Sequence, residues 1–282
     1  MKNGIQLDPN VIWLNDGTNV EIPSDKYEVG IDAYAFSKCT SLTNIDVSGD
    51  YITALGDEAF ADCDTTINEV VLGKNLKSFG ENVFSSSGSI TESTHVGFYQ
   101  VDGENPNFMS VGGVLFEKNA DGTLTLVAFP SNPSERVDMV FEGDVGTYIV
   151  PENVSRIRTG AFLATKGSLT RGSLTRVITG DGVMIIDSEA FSNSLIREIY
   201  IGKNVTKIGF DGAERNAFNA MSELREIRVA SDNDIYASKD GVLFTKDGTR
   251  LCVYPASNPY YNYVVPDSVT TIQMSAFEGV KY

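Results

Sequence analysis

The sequence predicts a repeat solenoid that is mainly β: a right-handed stack of coils with short parallel strands, turn-rich returns and two inserted β-hairpins. Three observations carry that expectation. A small-aromatic pair, Ala-Phe, recurs at Phe36, Phe60, Phe162, Phe191, Phe218 and Phe277, and Val83-Phe84 adds a further instance. Five residues before most of these stand Ile31, Leu55, Phe79, Ile157, Ile186 and Ile272, and eight before stand Ile52, Leu76, Val154, Val183 and Val269, with Glu28 the departure. Ahead of them run short alternating stretches such as Ile45-Asp46-Val47 and Ile199-Tyr200-Ile201. Stacked coils must each set the same kinds of atom at the same depth in a shared core, which fixed offsets from a fixed aromatic achieve. Alternation with period two buries one face of a strand and exposes the other.

In chain order, residues 1–27 are the least regular, and Val20-Glu21-Ile22-Pro23 reads as a strand of a degenerate N-terminal coil or cap. Phe36 to Phe60 and Phe60 to Phe84 are steps of 24 residues, inside the leucine-rich-repeat range of roughly 20–29. Ile45–Val47 and Val70–Leu72 are the strands of these coils. The first hairpin insert, about 108–130, holds Gly113-Val114-Leu115-Phe116 and the turn dipeptide Asp121-Gly122. Its counterpart, about 236–255, holds Gly241-Val242-Leu243-Phe244 and Asp247-Gly248. Tyr148–Pro151 and Tyr263–Pro266 return the chain to the coil pattern after each insert. The 29-residue step from Phe162 to Phe191 contains a tandem copy, Gly167–Arg171 and Gly172–Arg176, and Phe210–Glu214 interrupts the next coil. Both read as surface loops, which a solenoid tolerates at coil edges. Ile199–Ile201 and Ile227–Val229 continue the strands. No linker composition divides the chain, so residues 1–282 are expected to form one solenoid.

Stretches such as Ala35-Phe36-Ser37-Lys38-Cys39-Thr40-Ser41-Leu42-Thr43-Asn44-Ile45, and the Asp-Gly-Val-Leu-Phe of Asp240 to Phe244, resemble the BspA-like leucine-rich repeat proteins over about residues 28–282. The resemblance implies a secreted or surface protein of a host-associated microbe, and adhesion to extracellular-matrix proteins such as fibronectin or fibrinogen. The expected function is therefore a non-catalytic interaction module of an exported cell-surface protein, binding a protein or glycan of a host or neighbouring cell through the solenoid face. A structural spacer presenting other domains is the alternative.

Charge and composition narrow the remaining classes. Lys+Arg 22 against Asp+Glu 38 gives a net charge of −16, which opposes nucleic acid and anionic membrane as partners. His95 is the single histidine, so zinc proteases and other multi-imidazole centres are excluded. No run of 18 apolar residues occurs; the chain is expected to be soluble, with any export signal or anchor outside it. Cys39 and Cys63 follow the repeat phenylalanine by three residues and are expected as free buried thiols. A coil spacing of about 4.8 Å would also admit a disulfide between them. Cys252 reads as a small apolar filler on a hairpin strand. His95 reads as a surface or edge residue, there being no nucleophile elbow to serve. Asp232, Asp234 and Asp240 lack EF-hand spacing and read as solvated turn residues, adventitious calcium being the alternative. No cofactor or metal site is expected.

The outward positions of the strands are the candidate ligand-binding residues: Asp46, Val71, Arg176, Ile178, Glu198, Tyr200, Glu226 and Arg228. Stacking coil on coil turns them into ladders, and repeat proteins bind partners across such faces. Val71, Ile178 and Tyr200 are apolar or aromatic where solvent favours polar groups, and Tyr with Arg makes a good anchor. A second aromatic patch, Tyr260, Tyr261 and Tyr263 beside Pro259, reads as packing beneath a loop.

Overall fold

Strands of two to five residues, parallel from coil to coil, make up almost all the regular structure. The computed structural model describes residues 11–13, 19–21, 29–84, 94–134, 137–142, 145–163, 174–209, 216–260 and 262–280, and no helix occurs among them. The molecule is a mainly β solenoid. The tandem copy upstream of Leu174, the insertion 210–214 and Tyr261 lie outside the described residues.

The chain divides into two units, residues 1–120 with 129–137 and residues 121–128 with 138–282. In the first, Val11–Trp13 and Asn19–Glu21 pair antiparallel. The coils that follow carry two parallel ladders. Ile45–Val47, Val70–Leu72 and Tyr99–Val101 form one; Val29–Ile31, Ile52–Leu55 and Ser78–Phe79 form the other. In the second unit the corresponding ladders are Val145–Ile149, Leu174–Ile178, Glu198–Ile201 and Glu226–Val229, and Leu124–Ala128, Val154–Ile157, Ile185–Ile186 and Lys207–Ile208. β-Branched residues at alternate positions suit both roles: Ile45, Val47, Val177, Ile199 and Ile227 have no exposed surface.

The repeat phenylalanines form columns. Phe36, Phe60 and Phe84 stack at 5.2 and 5.6 Å, and Phe162, Phe191 and Phe218 at 4.8 and 5.6 Å, all within 18° of parallel. These spacings match the strand separation, so one aromatic per coil continues its neighbour's contact.

The returns are the turn-rich segments that the sequence predicts. Tyr34, Glu58, Asn82, Glu189 and Ser275, each two residues before the phenylalanine, have positive φ, as do Lys38, Asp62, Asn193 and Ala220 two residues after it. A left-handed residue every fourth position stops a helix from propagating. Instead, alternate N–H groups leave the coil: Tyr34, Phe36 and Lys38 donate to the carbonyls of Asp57, Ala59 and Ala61 in the next coil at 2.8–3.1 Å. The return is thus a third hydrogen-bonded ladder, and its satisfied backbone is what allows the turns to pack closely.

The hairpin inserts share one construction. Phe108–Val111 pairs antiparallel with Val114–Lys118, and Tyr236–Lys239 with Val242–Thr245. Gly112-Gly113 and Asp240-Gly241, the two-residue connections, have positive φ throughout, as the twist-matched hairpin turn requires. Each hairpin is tied down by a buried asparagine. Asn105 Nδ2 donates to the Gly73 and Leu76 carbonyls at 2.7 and 3.1 Å, while its Oδ1 accepts from the Asn107 and Phe108 amides. Asn233 repeats this with Gly202, Val205, Ile235 and Tyr236. Ser110 and Ser238 then accept from the amides of Val101 and Val229, both at 3.0 Å.

Candidate functional site

In the second unit the outward positions fall into two rows. Arg176, Glu198 and Glu226 are in register across three strands, with the buried Thr147 next to Arg176, and beside them run Ile149, Ile178, Tyr200 and Arg228. Six of the candidate residues are therefore brought together. Asp46 and Val71 are in register with one another in the first unit's ladder, next to Gln100. Asp46 there closes its own strand end, its Oδ1 accepting from Ser48 N at 3.0 Å and Ser48 Oγ at 2.7 Å.

Tyr200 is the centre of the cluster. Arg176 and Arg228, its neighbours on either side, hold their guanidinium carbons 5.7 and 5.1 Å from the ring centroid, within cation–π range. Each arginine is fixed by a carboxylate. Arg176 Nε donates to Glu198 Oε2 at 2.6 Å, and Arg228 Nη2 lies 2.7 Å from Glu226 Oε1. Glu198 and Glu226 face one another across adjacent strands, a like-charge pairing that is unfavourable unless each finds a cation. The order Arg–Glu–Glu–Arg resolves it. The cluster is preorganised and its members shield one another: only Arg228, with 55% of its side chain exposed, is open to solvent, while Arg176, Glu198 and Glu226 keep 22–27%. Strand alternation specifies which way these side chains leave the sheet; their half-burial follows from the contacts among them.

Elsewhere the polar residues serve the fold. His95 has 5% exposure and pairs with Thr66 in a short parallel ladder, a buried position rather than the surface one its polar neighbours suggest. Asp121 and Asp247 cap the turns they open. The Thr123 hydroxyl and amide hold Asp121 below the usual carboxylate range, and the Thr245 hydroxyl with Thr249 does so for Asp247. Asp232, Asp234 and Asp240 are exposed, and among the described residues no group of three or more His, Cys, Asp or Glu converges on one point. Of the aromatic patch, Tyr263 packs 4.7 Å from Tyr254, whereas Tyr260 is 55% exposed.

Cys39, Cys63 and Cys252 are free thiols; Cys63 and Cys252 are buried, whereas Cys39, expected to be buried, is only partly so. Burial pushes Cys63 up from the ordinary range and Cys252 to about 11, and the thiolate is the reactive form. Ellman's reagent is therefore expected to consume Cys39 alone in the native protein, with Cys63 and Cys252 released on unfolding. Three fast thiols would show that these coils open readily.

A family model described as BspA type leucine-rich repeat region matches residues 15–100 and 144–239 in 6 copies. No curated protein matches the chain in sequence. Among solved structures, a leucine-rich cell surface protein of Faecalibacterium prausnitzii A2-165 is similar at 19% identity and a TM-score of 0.50, over 86% of this chain and 62% of that one. A leucine-rich repeat protein of Eubacterium ventriosum matches at 20% identity and 0.30, over 59% and 55%. The pneumococcal vaccine antigen PcpA matches at 16% identity and 0.43, over 90% and 64%. The chain spans less than two thirds of each of these structures.

Proposed function

The chain belongs to the BspA-type leucine-rich repeat family, and from that premise we propose that it is a non-catalytic module of a bacterial cell surface, binding a macromolecule through the outward ladder of its second unit. The observation that carries this is Tyr200 held between Arg176 and Arg228. Tyr and Arg are the residues on which interface energy concentrates. Here their side-chain freedom is already restricted by Glu198 and Glu226, so less entropy is lost on association. A protein or glycan of a host or neighbouring cell is the partner class, met at the cell surface, where the similar Faecalibacterium prausnitzii protein is named a cell surface protein.

The test is an immobilised array of extracellular-matrix proteins and glycans, probed with the intact chain and with Tyr200→Ala/Arg228→Ala. The intact chain is expected to bind at least one member, and the double variant to bind about 30-fold more weakly, the scale of losing one interface anchor. Both positions face outward, so an unchanged melting temperature separates lost contact from lost fold. Binding that survives the double variant would reject the ladder, and an array with no bound member would favour a spacer.

A further inference from the structure

We infer that a groove beside the ladder is a binding site for a neutral oligosaccharide, a ligand and a place separate from the partner and face proposed above. The groove lies within the second unit and encloses about 1100 Å³, just above the roughly 300–1,000 Å³ usual for pockets that take drug-sized ligands. Glu198, Arg225 and Glu226 contribute from the ladder side; Tyr254, Tyr260 and Phe277 contribute from the second insert and the coil after it.

The charged groups of the groove call for no ionic ligand. Glu198 Oε2 already accepts from Arg176 Nε at 2.6 Å, and Glu226 Oε1 lies 2.7 Å from Arg228 Nη2. A basic ligand would compete with arginines already in place. An acidic one would meet two carboxylates in a chain of net charge −16. The same groups suit hydroxyls, which both donate and accept. Each carboxylate keeps lone pairs that an O–H can use. Arg225, exposed and in no ion pair among the described residues, supplies N–H donors. Ser257 Oγ gives its proton to the Ser222 carbonyl and still accepts; Asn258 Nδ2, bonded to the Asp240 carbonyl, has a second proton to donate.

The rings supply the apolar half of the match. The C–H face of a sugar ring leaves water favourably against an aromatic one. Tyr260 presents a 55% exposed ring. Phe277, stacked on Tyr254 at 5.1 Å and 21°, keeps 37% exposure where Phe162 and Phe191, at the same repeat position, have none. An extended polypeptide finds less here. At the edge strand Glu226–Val229, the Ile227 amide donates to the Gly241 carbonyl and the Val229 amide to Ser238 Oγ, so the free edge that strand addition needs is closed.

The experiment is calorimetric titration of the intact chain with maltohexaose, cellohexaose and chitohexaose, with hexagalacturonate as the charged control. At least one neutral hexasaccharide is expected to bind, equally at low and high salt because the ligand carries no charge, and hexagalacturonate to bind more weakly. Glu198 and Glu226 stay untouched, since they also hold the ladder cluster. Tyr260→Ala and, separately, Arg225→Ala are each expected to weaken binding about tenfold with an unchanged melting temperature. Tyr260→Phe is expected to keep it, because the sugar meets the ring. No bound neutral hexasaccharide, tighter binding of hexagalacturonate, binding that fades at high salt, or binding that survives both alanine variants would overturn the proposal. Array binding lost in Tyr200→Ala/Arg228→Ala but kept in Tyr260→Ala, together with any of these outcomes, would reject the groove and leave the ladder standing.

Discussion

Asn233→Ala is expected to lower stability by about 4 kcal/mol, the largest loss for any single polar side chain of the second unit. The side chain has no exposed surface, and its amide is fully used. Nδ2 donates to the Gly202 and Val205 carbonyls at 2.9 and 3.0 Å, and Oδ1 accepts from the Ile235 and Tyr236 amides at 2.9 and 2.7 Å. Truncation strands four backbone groups around a cavity too small to rehydrate them well, and each unsatisfied buried group costs about 1 kcal/mol or more. Asn233→Asp does not rescue it, because the carboxylate loses both donors and carries a buried charge. The control is Asn204→Ala. Its Nδ2 also reaches back one coil, to the Asp181 carbonyl at 2.8 Å, but in an exposed setting, where water replaces the contact and the loss is at most about 1 kcal/mol. Thermal unfolding is the measurement, with a midpoint drop of roughly 10 °C expected for Asn233→Ala. Similar small shifts for both variants would show that the hairpin is not anchored through this amide.

Gly202→Ala is expected to cost about 3 kcal/mol or more, or to prevent folding, for a reason that has nothing to do with backbone freedom. A Cβ at that position would lie 1.8 Å from the Gly180 carbonyl oxygen and 2.6 Å from its carbon. Those atoms belong to the adjacent coil, so the clash can be relieved only by prising the stack apart. Gly122→Ala is the contrasting case: φ is +85°, but nothing lies within 4 Å of the added carbon, and the loss is the ordinary left-handed penalty of about 1–2 kcal/mol. Chemical denaturation of the two variants should separate them clearly. A Gly202→Ala protein as stable as Gly122→Ala would mean that adjacent coils do not approach this closely.

The ladders were legible in the sequence because two constraints coincide. Alternation decides which face each strand residue takes, and constant offsets ahead of the phenylalanine align residues such as Ile157 and Ile186 from coil to coil. Alternation turns Arg176, Glu198, Tyr200, Glu226 and Arg228 outward, and the strand pairing sets Arg176 opposite Glu198 and Tyr200 opposite Arg228. The rotamers that bring two guanidinium groups over one ring, at 5.7 and 5.1 Å, follow from side-chain packing that no spacing encodes. The left-handed residues of the returns were not legible either. Tyr34, Glu58 and Glu189 are poor choices for positive φ by local preference, and only the bonds to the next coil hold them there. Asn233 was hidden by its setting, since Ser231-Asp232-Asn233-Asp234 looks like a solvated turn. The signal that exposes it is Asn105, displaced by the same 128 residues that relate Phe116 to Phe244.

Hydrogen–deuterium exchange on the chain bound to an array-selected partner tests the central claim most directly. Slowed exchange is predicted at Leu174–Ile178, Glu198–Ile201 and Glu226–Val229, the strands that carry Arg176, Tyr200 and Arg228. Protection confined to the returns, or to Ile45–Val47 and Val70–Leu72 of the first unit, with these three strands unchanged, would contradict it.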